Sequence, residues 1–278
     1  MVALCVAFAA LALAAATGHR RFRTRIAADV SALLSAPAPA VAPEEIAAQE
    51  ASLPEPVRRY LRYAVTAAAP AIRTVHLRHE GFFRSKPSAP WMPIRGEQRF
   101  TVGRPGFVWS ATVRMKPFFW IEARDRLNEG RGNMLVKLVS TFAVADASGP
   151  EVDQGSSLRW LAETVWFPCA LVSGAVRWEA VDAHSARATL AQPGLPAAAT
   201  FEFDDEGKPA ILRAERYYAD GKELARLLPW CGRCRDYREI GGVRVPTYVE
   251  VSWQLPEGEF SYARFQVTEI RHNATSRD

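Results

Sequence analysis

Apolar and polar side chains alternate along most of the chain from about residue 73 onwards. In the segment 107–116 the apolar positions are Phe107, Trp109, Ala111, Val113 and Met115, and the positions between them are mostly polar. This period of two predicts a strand with one buried face. The same pattern predicts strands at 73–84, 96–102, 120–126, 134–141, 176–181, 186–191, 199–203, 211–218, 237–240, 243–253 and 260–270.

Short turn signals separate several of these segments. The runs 182–185 and 204–207 begin with Asp, and Gly241 and Gly242 stand between two predicted strands. Tight turns join antiparallel strands, whereas parallel pairs need long crossovers. The pattern therefore predicts a mainly β, α+β domain, built as a large curved antiparallel sheet or half-barrel with a few helices packed on it.

Two segments have a helical period instead. The first is 44–65, in one or two pieces, where Ser52 is expected to cap a helix that starts near Pro54. One face of that helix holds Val57, Tyr60, Leu61 and Ala64. The second segment is 156–166, which Pro168 prevents from continuing. A short helical turn is also predicted at 224–228.

The N-terminal residues 2–17 carry no charge and predict a hydrophobic helix. Sixteen helical residues span about 24 Å, short of the roughly 30 Å hydrocarbon core of a bilayer. Arg20, Arg21, Arg23 and Arg25 follow at once, which favours a cytoplasmic position for that flank of an uncleaved anchor. A signal segment, with Ala14 and Ala16 at a cleavage site, is the alternative.

These patterns predict four parts of the chain. Residues 1–18 form a membrane anchor or signal segment, and residues 19–43 form a basic flank and an extended Ala/Pro linker. Residues 44–272 form a single antiparallel β domain with an N-terminal helix, and residues 273–278 form a tail. The protein is expected to be attached to a membrane, with the side of the membrane left open.

Composition supports a large core and argues against one class of partner. Apolar residues make up 49% of the chain, with eight Trp. Without the four arginines of residues 20–25, 31 basic residues remain against 30 acidic ones, although the whole chain carries a net charge of +5. A nucleic-acid partner is excluded, because it would require a basic surface on the folded domain.

Cys231 and Cys234 form a Cys-Gly-Arg-Cys motif that resembles a redox centre, with Pro246 following. A thioredoxin-type pair needs the first Cys at a helix N-terminus, whereas the sequence after Cys234 predicts strand, turn and strand. The pair is expected to be either a local disulfide or two free thiols. No metal site and no cofactor are predicted, because a zinc site would need two more ligands.

The candidate acids are Asp146, Glu151 and Asp236. Converging carboxylates would support a hydrolase-type enzyme, whereas turn and helix-cap roles are the alternative. No nucleophile motif is present, so no catalytic residue is assigned. His76 and His79 are three apart, which places them on opposite faces of a strand and excludes a metal pair.

Large side chains on the buried positions predict an apolar cavity. A curved sheet of this size is not filled by two short helices, so its concave face is expected to bind a lipid or another apolar ligand without catalysis. A structural or scaffolding role in the envelope is the further alternative. The candidate lining residues are Phe107, Trp109, Val113, Met115, Trp166, Phe167, Trp178, Phe201, Phe203, Tyr217 and Trp253.

Several blocks in order resemble the bacterial family DUF6544, formerly DUF6920, which is uncharacterised. They are 53–61 (LPEPVRRYL), 97–100 (EQRF), 105–109 (PGFVW), 144–151 (VADASGPE), 166–168 (WFP), 185–188 (SARA) and motifs within 236–253. The resemblance spans about residues 53–270 and implies no catalytic residue. Its β-rich body is similar in fold to envelope lipoprotein carriers of the LolA and LppX type, an analogy at the level of the fold alone. The N-terminal segment leads us to expect a protein anchored to the bacterial inner membrane or cell envelope.

Overall fold

A single antiparallel sheet of thirteen strands organises the computed structural model, which describes residues 2–35, 38–117, 119–191, 194, 196–219 and 225–275. For residues 2–9 and 11 it describes the backbone alone. The strands are β1 Thr74–Phe83, β2 Met92–Thr101, β3 Gly106–Lys116, β4 Phe119–Asn128, β5 Arg131–Leu138, β6 Phe142–Ala147, β7 Val176–Ala180, β8 Ser185–Leu190, β9 Ala198–Phe203, β10 Pro209–Tyr218, β11 Arg226–Ile240, β12 Val243–Leu255 and β13 Gly258–His272.

The strand order is β6-β5-β4-β3-β2-β1-β13-β12-β11-β10-β9-β8-β7. Two meanders, β1 to β6 and β7 to β13, are joined where the first strand pairs with the last. In that pairing Val75 lies opposite His272 and Phe83 lies opposite Ala263. The result is a curled half-barrel, which confirms the predicted fold class.

The sequence pattern does not predict strand β6, and strand β11 is much longer than predicted. The side chains of β6 are largely exposed at the edge of the sheet, so they show no apolar alternation. In β11, residues 226–228 belong to the strand, and the helical turn predicted for 224–228 is wrong there; Leu224 itself lies outside the described residues. Pairing with β10 on one side and β12 on the other overrides the local preference of this segment.

Helices α2 (Pro43–Gln49), α3 (Glu55–Ala64) and α4 (Pro150–Glu163) contribute to the main core on one face of the sheet. Short 3₁₀ turns at Thr164–Trp166 and Pro168–Val172 follow α4. The predicted apolar face of α3 is buried. The predicted Ser52 cap is wrong: its hydroxyl donates to the carbonyl of Gln49, and Pro54 precedes the helix.

Helix α1 (Val2–Ser35) packs on the other face of the sheet, over β2, β3 and β4. Phe22, Ile26 and Leu33 form a small apolar cluster with Val108 and Leu135. The helix continues without a break through the predicted boundary between residues 18 and 19. Among the described residues, no helix combines the length and the apolar character needed to cross a membrane.

Charged pairs tie α1 to the sheet. Asp29 lies 3.3 Å from the guanidinium of Arg124, which is fully buried, and 3.6 Å from that of Arg126. His19 lies 2.7 Å from the carboxylate of Glu122. Burial lowers the pKa of Arg124, and Asp29 opposes that shift. The charge on Asp29 therefore compensates a cation that water does not reach.

The segment after α1 differs from the extended linker that the sequence predicts. Val41 and Ile72 exchange two backbone hydrogen bonds, and the guanidinium of Arg73 donates to the carbonyl of Ala38. Both Ala38 and Val41 are buried. The chain between residues 38 and 41 is therefore part of the folded body, because its backbone and apolar side chains find partners there.

We expect Asp29→Asn to lower the free energy of unfolding by about 2 kcal/mol, since it leaves the buried Arg124 without its counter-charge while Asp29 itself is partly solvated. Denaturant unfolding followed by circular dichroism measures the change. Asp205→Asn, at a fully exposed carboxylate, is the control and should have no effect. Equal stability of Asp29→Asn and wild type would contradict a structural role for this pair.

Candidate functional site

A cavity of about 360 Å³ lies between α4 and the concave face of the sheet. Its wall contains side chains from β1 to β5 and from β10 to β13, together with α4 and the turn that follows it. Most of the lining is apolar or aromatic, and it includes Phe83, Ile94, Leu212, Trp230, Val249, Val251, Tyr262, Ala263 and Phe265. The arrangement is that of a small-molecule site, with a few polar groups set in an apolar wall.

Four of the eleven predicted lining residues lie in the cavity wall: Trp109, Trp166, Tyr217 and Trp253. The others do not contribute to it. Phe107, Val113, Phe167, Phe201 and Phe203 are buried in the main core, with Trp178 packed against it. The ring centre of Phe167 lies 4.7 Å from that of Phe100 and 5.8 Å from that of Trp160. This packing fills part of the concavity that the sequence predicts to be open.

Met115 is the clearest error among the predicted lining residues. Its side chain is exposed, and it borders a separate cleft that also contains His19 of α1. The pairing of β3 with β4 shifts register between Arg114 and Lys116. Such a bulge ends the regular alternation, so the buried face of the strand does not extend to Met115.

The lining residues on β11, β12 and β13 are those that the sequence could have revealed. Trp230, Gly232 and Cys234 occupy alternate positions of β11, as Val249, Val251 and Trp253 do on β12. Period two alone places each set on one face. The set on β11 was missed because only residues 237–240 were predicted to form that strand.

A buried charged network centred on Arg159 forms the polar part of the wall. The guanidinium donates to Asp125 at 3.0 Å, to Glu163 at 2.9 Å and to the side-chain oxygen of Gln98 at 3.0 Å. Gln98 in turn donates to Glu163 at 2.7 Å. The carboxylates of Asp125 and Glu163 are therefore both bound by Arg159. The network holds α4 against β2 and β4.

Burial and charge act in opposite directions within this network. Burial raises the pKa of Glu163, and the neighbouring Arg159 offsets part of that shift. Burial alone would lower the pKa of Arg159, but Glu163 and Asp125 outweigh it, so its pKa is raised. Arg159 also lies over the ring of Trp109, 4.7 Å from its centre, which joins the network to the aromatic wall.

His79 lies behind this wall as a neutral imidazole. The indole nitrogen of Trp109 donates to its Nε2 at 2.9 Å, so the ring proton is on Nδ1. The ring of Phe265 lies 4.4 Å away, centre to centre. Burial, with a smaller contribution from Arg159, lowers the pKa of His79 to about 3. His76 faces the other side, near Glu97, as the sequence predicts.

Cys231 and Cys234 are free thiols, which is one of the two states that the sequence left open, and they form no disulfide. Both lie within β11, where residues three apart point to opposite faces and stand about 10 Å apart, too far for a disulfide. Cys234 lines the cavity, and burial raises its pKa to about 12. Burial also raises the pKa of Cys231.

The three candidate acids do not meet. Asp146 lies on β6 and accepts a hydrogen bond from the Asn133 side chain, and Glu151 lies in the first turn of α4. Asp236 lies on β11, and seven strands separate β11 from β6 in the sheet order. All three are exposed and none lines the cavity. No cluster of three or more metal-ligating side chains occurs among the described residues.

The cavity opens at the C-terminal end of β10. Arg216, Tyr217, Tyr218 and Ala219 line it there, and all four are partly or fully exposed. The guanidinium of Arg216 lies 5.9 Å from the centre of the Trp253 ring. Unlike Arg159, it has no carboxylate within ion-pair distance among the residues that the structure describes. Among the described residues, the rim of the opening is therefore aromatic and includes the cation Arg216.

We expect acid to destabilise the fold through His79. Its folded pKa of about 3 lies below the unfolded value of 6.5, so the unfolded chain binds the proton first as pH falls. Stability is then lost between pH 6.5 and about 3, at up to about 1.4 kcal/mol per pH unit. His79→Gln should remove this part of the pH dependence of unfolding, and the exposed His184→Gln should retain it. Parallel pH curves for wild type and His79→Gln would contradict the assignment.

We expect iodoacetamide to modify Cys231 slowly and Cys234 and Cys169 hardly at all in the folded protein. Their thiols are shielded, and the pKa of both Cys169 and Cys234 is raised to about 12. All three should react rapidly in denaturant. Peptide mass spectrometry after timed labelling distinguishes the sites. Rapid modification of Cys234 in the folded state, or a disulfide-linked peptide, would contradict the structure.

Comparison with known proteins identifies a family and gives structural similarities. No curated protein matches the chain. A LolA superfamily protein from Nitrosomonas europaea is 11% identical, with 76% of this chain and 96% of that chain covered, at a TM-score of 0.42. A DUF1329 family protein from Desulfovibrio piger is 10% identical, with 86% and 95% covered, also at 0.42. The family of unknown function DUF6920 matches residues 51–272, and the chain belongs to that family.

Proposed function

We propose that this protein binds a lipid or another apolar ligand in the cavity between α4 and the sheet, and that it does so without catalysis. The observation that supports the proposal is the cavity itself. Its volume, about 360 Å³, falls within the range of roughly 300–1,000 Å³ found for ligand sites. Trp109, Trp230 and Trp253 lie in its wall, where an apolar ligand would replace water against aromatic surface.

The driving force is the removal of apolar surface from water. Each Å² of buried apolar area contributes roughly 25 cal/mol, so a chain that fills the cavity gains several kcal/mol before the cost of ordering. The polar groups are few and mostly satisfied internally. Arg159 is held by Asp125 and Glu163, which leaves Arg216 at the rim as the cation nearest to a polar end of the ligand.

The alternative of a hydrolase receives less support. Asp146, Glu151 and Asp236 lie outside the cavity, on separate parts of the sheet and on α4. The carboxylates that do line it, Asp125 and Glu163, are both bound by Arg159. A general acid or base must be able to reach the substrate, whereas these two carboxylates are held by the guanidinium of Arg159. A concave apolar cavity also favours ligand binding over a purely scaffolding role.

Attachment to a membrane of the cell envelope is proposed for residues 1–18. The support comes from the sequence, in which an uncharged run is followed by His19, Arg20 and Arg21. Side chains of residues 2–9 and 11 lie outside the described residues. At the part of α1 that is described, Ala12, Leu13 and Ala14 are exposed to solvent. The ligand-binding proposal does not depend on this attachment.

We expect native mass spectrometry of the protein, purified in mild detergent, to show a bound apolar molecule. Val251→Trp should abolish it, because the added ring occupies the cavity. Val181→Trp, at an exposed position away from the cavity, should retain the ligand. Circular dichroism verifies that both variants fold, and Val249→Phe provides a smaller obstruction if Val251→Trp does not.

Two results would count against the proposal. One is a wild-type protein that is ligand-free and does not take up an added fatty alcohol. The other is a folded Val251→Trp variant that binds as the wild type does.

A further inference from the structure

Most of the strongly exposed large apolar side chains lie at one end of the sheet. Among the described residues these side chains are Leu13, Phe82, Met115, Phe119, Phe142, Val144, Val181 and Leu227, with exposed fractions from 46% to 70%. Single exposed apolar residues are ordinary on any protein surface. A group of them on one side of a domain, beside basic residues, instead marks an interaction surface.

The strand register shows that they share one end. The turns of the hairpins β1–β2, β3–β4, β5–β6 and β12–β13 all lie at that end, which we call the hairpin end. Phe82, Met115, Phe119 and Phe142 are in the last or first residues of the strands that flank the first three turns. Leu227, the second residue of β11, also lies at the hairpin end. Val181 alone follows a strand at the opposite end.

Helix α1 directs its apolar half to the same end. The hydroxyl of Thr141, in the β5–β6 turn, lies 3.4 Å from the carbonyl oxygen of Ala14. Gly18 approaches Ser140 so closely that a Cβ atom there would stand 2.6 Å from the Ser140 carbonyl oxygen. Residues 2–13 therefore lie beyond the point where α1 passes the β5–β6 turn.

Charge at the hairpin end is mainly positive. Lys86 lies in the β1–β2 loop, and Arg114 and Lys116 end β3. Glu257, in the β12–β13 turn, and Glu259, at the start of β13, are acids at this end, and Glu259 is paired with Arg233. Trp91, at the end of the β1–β2 loop, stacks with the guanidinium groups of Arg84 and Arg264, each 4.6 Å from its ring centre. Exposed aromatics flanked by cations match the interface of a bilayer that contains anionic lipids.

We propose that the hairpin end of the sheet is a membrane-docking surface whose partner is a bilayer containing anionic lipid. Phe82, Phe119 and Phe142 enter the interface, and Lys86 and Lys116 contact the lipid phosphates. The opening of the cavity, at Tyr218 and Ala219, lies at this same end, so it faces the bilayer. The proposal is distinct from an N-terminal anchor, because a tether alone leaves these side chains in water.

The test uses the full chain with Cys5 and Cys231 replaced by Ser, and with an environment-sensitive NBD label on a new cysteine. Phe142→Cys places the label at the hairpin end, and Val181→Cys places it at the opposite end. Vesicles of phosphatidylcholine with phosphatidylglycerol should make the label at position 142 brighter and shift its emission to shorter wavelength. The label at position 181 should not change. Co-sedimentation in the same samples reports whether the protein is bound.

A protein that sediments with vesicles while the label at position 142 stays in water would overturn the proposal and leave an N-terminal tether as the attachment. Failure to sediment, or equal signals at positions 142 and 181, would also overturn it. None of these results bears on ligand binding in the cavity, which native mass spectrometry measures separately.

The charge requirement is tested with Lys86→Gln and Lys116→Gln, compared with Arg238→Gln, an exposed cation on β11 towards the opposite end. Each lysine removed should weaken binding to anionic vesicles about fivefold, and the arginine should not. Equal binding of all variants, or equal binding to vesicles of phosphatidylcholine alone, would overturn the electrostatic part of the proposal. Binding and label insertion that survive only with phosphatidylglycerol present would support it.

Discussion

The pairing of β1 with β13 is the constraint on which the structure depends. These strands are almost 200 residues apart in the chain at their ends, where Val75 lies opposite His272. Without their hydrogen bonds the protein would consist of two separate meanders, each with an open edge of unpaired backbone groups. The pairing also places Phe265 against His79, and it joins β2 and β4 to β11 and β12 around one cavity. Such a non-local contact carries a large loop-closure cost in folding.

The two faces of the sheet are covered by different means. On the concave face α3, α4 and the turns that follow bury a large apolar core. On the other face the described side chains of α1 contribute the buried Phe22, Ile26 and Leu33. Ion pairs of Asp29 with Arg124 and Arg126, and a contact of His19 with Glu122, add to them. An ion pair replaces the solvation that its two charges have in water, so it adds little net stability. The pairs therefore fix the position of α1 on the sheet more than they stabilise its packing. The polar surface beneath α1 includes the buried residues Ser110, Glu122 and Arg124.

Alternation along the chain was enough to predict twelve of the thirteen strands, their antiparallel pairing and the half-barrel. This prediction fails where the buried positions do not follow the period of two. Strand β6 has no buried face, and Met115 follows a bulge. A disulfide between Cys231 and Cys234 stayed open because the alternation predicts only residues 237–240 of β11. On the full strand, residues three apart face opposite sides, which excludes the disulfide. Which aromatics line the cavity depends on how α4 and its 3₁₀ turns fill the concavity, and the sequence contains no local signal of that.

The location of the exposed apolar residues follows from the topology of a meander. Successive turns alternate between the two ends of the sheet, so any property shared by every second turn is collected at one end. The turns at one end are rich in Gly and acids: Glu129–Gly130, Asp204 to Gly207, and Gly241–Gly242. Three turns at the other end are flanked by Phe82, Phe119 and Phe142, with Lys86 and Lys116 beside them, and a fourth has Glu257 followed by Gly258. These exposed aromatic residues come from turns far apart in sequence, and the meander brings them to one end. The membrane-docking surface proposed at the hairpin end accounts for this grouping.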